Sequence, residues 1–88
     1  EHRRQTQSLR TAIKRLESRI ETLSISLKAL EATLADPVTY ETLSTQALQD
    51  VIAQRTNEIR DLAAAESQWL ELQEQLETMI AASQADAD

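Results

Sequence analysis

Six cations crowd the start of this chain: Arg3, Arg4, Arg10, Lys14, Arg15 and Arg19. Clustered guanidinium and ammonium groups can neutralise the phosphates of RNA or DNA and release counterions. The same groups can instead pair with carboxylates opposite or form a solvated face, and that plainer reading is favoured. No aromatic residue is interleaved with them to stack a base. Arg3 and Arg4 are best placed for phosphate contact, because the fewest acids are in reach. Glu71, Glu74 and Glu77 make a row of carboxylates, but without a His or a converging helix they form no metal site. His2, the only histidine, reads as a flexible surface residue rather than a ligand or base. Tyr40 is expected to pack over a helix corner, ahead of a tip contact with a partner. Trp69 reads as a large seam residue ahead of a binding hot spot. Acid–base work by carboxylate pairs needs a pocket, which a two-helix seam does not offer. No catalytic, cofactor-binding or metal-ligating residue is expected.

Composition narrows the elements that can carry these side chains. The chain has 88 residues, no Cys, no Gly, a single Pro, and Trp69 and Tyr40 as its only aromatic residues. Without Gly, phosphate-cradling loops and tight hairpin turns lose their usual residue. Without Cys, a disulfide framework and a thiolate zinc site are excluded. No apolar run approaches the roughly 20 residues that span a bilayer. The first residue is Glu1 and no secretory signal is visible, so the chain is expected to be a fragment of a larger protein.

Periodicity supplies the architecture. Leu9, Ile13, Leu16, Ile20, Leu23, Leu27, Leu30 and Leu34 alternate spacings of four and three, a heptad stripe along one helix face. The stripe ends at Leu34-Ala35-Asp36-Pro37, where Pro37 biases the preceding residue away from helix. Asp36 can cap a short turn that begins with Pro37. Thr42, Ser44 and Thr45 are cap candidates for the next helix. A second, less regular stripe follows: Leu48, Ile52, Arg55, Ile59 and Leu62, then Trp69, Leu76 and Ile80. A register slip near Ala63-Ala64-Ala65 is expected to bring in Ala65, Leu72 and Met79. The tail from Ala81 to Asp88 is expected to fray.

Charge sets the expected direction of pairing. Residues 1–28 carry seven Lys/Arg against three acids, whereas residues 29–88 carry two against twelve. Folding back at the Asp36-Pro37 corner brings the basic start beside Glu66, Glu71, Glu74 and Glu77. The fold class expected is all-α, an antiparallel two-helix coiled-coil hairpin forming a single domain over residues 1–88. Its helices run over about 6–34 and 45–82, with a corner at 35–44. The register pairs Leu34 with Leu48, Leu30 with Ile52, Leu23 with Ile59, Ile20 with Leu62 and Ile13 with Trp69. It sets Leu27 against Arg55, Leu16 against Glu66 and Leu9 against Gln73, its weak points. The arms are expected to reach roughly 45 Å, with both termini at one end. Leu23→Ala or Ile59→Ala should cost about 2 to 4 kcal/mol, and Ser26→Ala, read as exposed, little. Ile25, Val51 and Leu70 lie off the stripe, where isolated exposed apolar residues are common.

Three stretches resemble a family. They are Arg3-Arg4 leading into Gln5-Thr6-Gln7-Ser8-Leu9-Arg10, the Leu34-Ala35-Asp36-Pro37 corner with Tyr40, and Trp69-Leu70-Glu71-Leu72-Gln73-Glu74-Gln75-Leu76-Glu77. Over nearly its whole length the chain resembles the C-terminal coiled-coil domain of ABC-F proteins, soluble ATPases with two cassettes. The YheS-like branch is nearest and Uup-like proteins next. The resemblance implies a cytoplasmic parent that binds ATP and Mg, hydrolyses ATP and acts on the ribosome in translation. In Uup-like proteins the corresponding hairpin is associated with DNA binding. All ATP-handling residues of such a parent lie outside this chain, so the chain itself is expected to be non-catalytic and to hold no cofactor. The partners implied are the parent's cassettes and ribosomal RNA or DNA, and no membrane. A purely structural or homodimerising coiled coil is the alternative. The net charge of −6 opposes nucleic-acid binding.

Overall fold

The structure is a computed structural model that describes residues 2–87, with side chains for residues 3–85. It is all-α: α1 spans His2–Ala35, α2 Pro37–Thr42 and α3 Thr45–Ala87. Among the described residues only Asp36, Leu43 and Ser44 lie outside helix. With no Gly and the only Pro at the corner, nothing inside α1 or α3 interrupts the backbone ladder. α1 extends to His2 and Ala35, slightly beyond the expected limits. The tail expected to fray is helical as far as Ala87, because alanines 81, 82 and 85 favour helix and no breaker follows. Asp88 and the side chain of His2 lie outside the described residues.

The chain clusters into two compact units. The terminal unit comprises Glu1–Ile20 and Ala65–Asp88, and the corner unit Glu21–Ala64. In each, a stretch of α1 packs against a stretch of α3. The core of the terminal unit is Ile13, Ala65 and Leu76, which are 5, 3 and 8% exposed. In the corner unit Leu23 is buried, with Leu27, Leu30, Leu34, Leu48 and Leu62 half-buried around it. Leu9, Leu16, Ile20 and Trp69 are half-buried in the terminal unit.

The second stripe corrects the sequence reading. Ile52 and Ile59, expected on the seam, are 47 and 41% exposed. The inward positions are Leu48, Val51, Arg55, Glu58, Leu62, Ala65, Trp69, Leu72, Leu76 and Met79, all buried or half-buried. Their spacing alternates three and four throughout, so Ala65, Leu72 and Met79 need no slip near Ala63. Val51, read as off the stripe, is on it. The misreading has a physical cause: two β-branched isoleucines a heptad apart mimic a seam, while charged Glu58 disguises the real one; Arg55, read on the stripe, is on it.

The expected pairing also shifts. In the terminal unit Trp69 meets Glu17, one helical turn along α1 from Ile13. In the corner unit Arg55 meets Glu31, one turn along from Leu27, and Glu58 meets Ser26. Within that unit the partners climb along α3 as they descend along α1.

Candidate functional site

The corner is held by side chains that satisfy helix ends. Asp36 has extended backbone angles, φ −86° and ψ 119°, and its Oδ1 accepts from the Val38 N–H at 3.0 Å. Pro37 follows as the first residue of α2, where its missing N–H leaves nothing unsatisfied. The last carbonyls of α1 have no partner within that helix. Thr39 Oγ1 donates to the Thr33 carbonyl at 2.6 Å, and Tyr40 Oη donates to the Leu34 carbonyl at 2.7 Å. Thr39 is 8% exposed, so its hydroxyl is one of the few sheltered polar groups among the described residues. Ser44 caps α3, its Oγ accepting from the Ala47 N–H at 3.0 Å. Ser44 is therefore the cap among the three candidates. Tyr40 otherwise lies open and borders a shallow groove with Glu31, Leu34, Ala35, Ile52 and Arg55.

The six cations near the start of α1 are all exposed. No ion pair joins any of them to a carboxylate among the described residues, so the expected pairing with Glu66, Glu71, Glu74 and Glu77 is not made. The cations divide by spacing. Arg3 and Arg10 border one groove with Thr6, Ile80, Ser83 and Gln84. Arg10 and Lys14 border a second, with Gln7, Thr11, Ile13, Glu17, Gln73 and Leu76. The α3 side of both grooves offers amides, a hydroxyl and apolar carbon, and no carboxylate. Arg4, Arg15 and Arg19 border neither groove. The structure thus brings Arg3, Arg10 and Lys14 into one row and sets the other three apart from it.

Two features escaped the sequence reading. Trp69 Nε1 donates to Glu17 Oε2 at 3.1 Å, tying the indole to a carboxylate on the other helix. Glu58 occupies an inward position, where Oε1 accepts from Ser26 Oγ at 2.6 Å while Oε2 is buried with no hydrogen-bond partner. Ser26, read as exposed, is half-buried. The signal for Glu58 was the alternating frame through Ala65 and Trp69, which places it inward once Ile52 and Ile59 are released from the seam; no such signal singles out Glu17.

Among the described residues no group of three or more His, Cys, Asp or Glu could hold a metal ion. Among the same residues no helix is long and apolar enough to cross a membrane. No family model matches the chain, and neither a curated protein nor a solved structure matches it.

Proposed function

We propose that this chain is an antiparallel two-helix coiled-coil hairpin serving as a non-catalytic interaction arm of a cytoplasmic ABC-F ATPase. Its parent binds and hydrolyses ATP with Mg in cassettes outside this chain and acts on the ribosome. The observation that carries the reading is the exposed cation set Arg3, Arg4, Arg10, Lys14, Arg15 and Arg19, joined to no carboxylate among the described residues. Cations left unpaired beside an acidic helix are available to phosphate, and the row Arg3, Arg10 and Lys14 runs along one flank. The corner supports the same reading, since Asp36, Pro37 and Tyr40, which carry part of the family resemblance, each do a distinct structural job there.

The test is co-sedimentation with bacterial ribosomes and a mobility shift with duplex DNA, at several salt concentrations. The chain binds weakly, given its net charge of −6. Charge reversal of Arg3, Arg4 and Arg10 to Glu weakens binding and flattens its salt dependence, with helicity retained. Unchanged binding of the triple variant removes the proposal. A structural brace is the second reading, favoured by the exposed Ile52 and Ile59 one heptad apart. Tight, salt-insensitive self-association together with unchanged ribosome binding selects it.

A further inference from the structure

One groove of the terminal unit has the chemistry of a receptor for a cation. It encloses about 350 Å³ and is lined by Glu17, Ile20, Glu66, Trp69 and Leu70. Three of these supply apolar surface, and Leu70 is 55% exposed, more than packing within the unit requires. The other two are carboxylates. The Trp69 Nε1 bond to Glu17 Oε2 orients the indole and occupies one of the carboxylate's acceptor sites. Glu17 Oε1 and the whole Glu66 carboxylate remain, and no cation pairs with either residue among the described residues. Arg10 and Lys14 border the next groove, which also includes Glu17, yet neither forms an ion pair with it.

We infer that this groove is a docking site for an arginine side chain on a basic segment of a partner protein. A guanidinium is planar and weakly hydrated, so it stacks on an indole face while its N–H fork reaches carboxylates. Its carbon stem lies along apolar surface of the kind Ile20 and Leu70 provide. A lysine ammonium has neither the planar face nor the fork, which is why the occupant is arginine. The inference goes beyond the proposed function and stands whether or not the parent is an ATPase.

Trp69 is the only tryptophan, so its emission reports this groove directly. The probe is a short capped peptide with one arginine between leucines, compared with a twin carrying uncharged citrulline. The arginine peptide produces a saturable change in Trp69 emission, and the citrulline twin binds at least about tenfold more weakly. Glu66→Gln weakens the arginine peptide by roughly threefold to thirtyfold, and Glu17→Gln does likewise. Glu74→Gln removes the same charge from outside the groove and changes affinity by less than about twofold. Circular dichroism checks helicity, and if Glu17→Gln disturbs the fold the exposed Glu66→Gln decides alone. Equal binding of the twin, equal loss in Glu74→Gln, or no saturation up to about 1 mM peptide overturns the assignment.

Discussion

Ser26 Oγ donates to Glu58 Oε1 at 2.6 Å between α1 and α3 of the corner unit, and Glu58 Oε2 beside it is buried with no hydrogen-bond partner. The carboxylate is half satisfied at a position where a coiled coil ordinarily places an apolar residue. Ser26→Ala removes its one partner, and leaving a sheltered acceptor unpaired costs about 1 to 3 kcal/mol. This reverses the sequence expectation of little effect. A urea titration followed by circular dichroism checks it, and a midpoint equal to that of the parent chain contradicts it.

The same residue offers a route to a more stable chain. Glu58→Leu replaces a half-satisfied carboxylate with an apolar side chain at an inward position, where Leu62 and Leu23 lie in the same unit. Stability should rise by about 1 kcal/mol through added apolar burial and removal of the orphan oxygen. A melting temperature at or below that of the unmodified chain shows the carboxylate to be favourable where it stands.

Leu23 and Ile59, expected to be equivalent, should now separate. Leu23→Ala empties a buried position and should cost about 2 to 4 kcal/mol. Ile59→Ala trims a side chain that is 41% exposed, and less than about 1 kcal/mol is expected. Thermal melts of the two variants side by side decide between the structural frame and the frame read from the isoleucines.

At the corner, Asp36→Ala should cost about 0.5 to 2 kcal/mol, the usual value of an N-cap. Tyr40→Phe removes the bond to the Leu34 carbonyl, but the ring is mostly open to water, so about 0.5 kcal/mol is expected. Amide hydrogen exchange across residues 33–48 should show faster opening in Asp36→Ala than in Tyr40→Phe. The opposite order places the main restraint on the tyrosine.

Arg55 and Glu31 lie 3.6 Å apart with both side chains nearly half open to water. A double-mutant cycle on this pair should return a coupling of about 0 to 1 kcal/mol that fades with added salt. Arg55→Leu should therefore be tolerated, and a large loss in that variant reveals a stronger role than the exposed pair accounts for.

The first helix was legible because its stripe from Leu9 to Leu34 has no competing frame; Ile25, the one apolar residue clearly off it, is open to solvent. The corner was legible too, since Asp36-Pro37 specifies a cap and a first helical residue by local chemistry alone. The second helix was legible in part. Leu48, Arg55, Leu62, Trp69 and Leu76 were read on the stripe and face inward, but hydrophobicity picks out Ile52 and Ile59 where the inward frame runs through Val51 and Glu58. Periodicity read from apolar residues cannot register a charged residue that faces inward with a partner. The six cations were visible as a cluster, yet dividing them into a row of Arg3, Arg10 and Lys14 and a separate set required the grooves. The Trp69–Glu17 bond depends on which turn of α1 faces which turn of α3 in the terminal unit, and apolar spacing alone does not specify that.

No residue described here has a positive φ, and Asp36 and Leu43, which flank α2, both adopt ordinary extended angles. The link between α1 and α3 therefore requires no backbone conformation that only glycine tolerates. Its cohesion is distributed over separate hydroxyl and carboxylate contacts from Asp36, Thr39, Tyr40 and Ser44. Substitutions there degrade the turn by increments instead of abolishing it at one indispensable position.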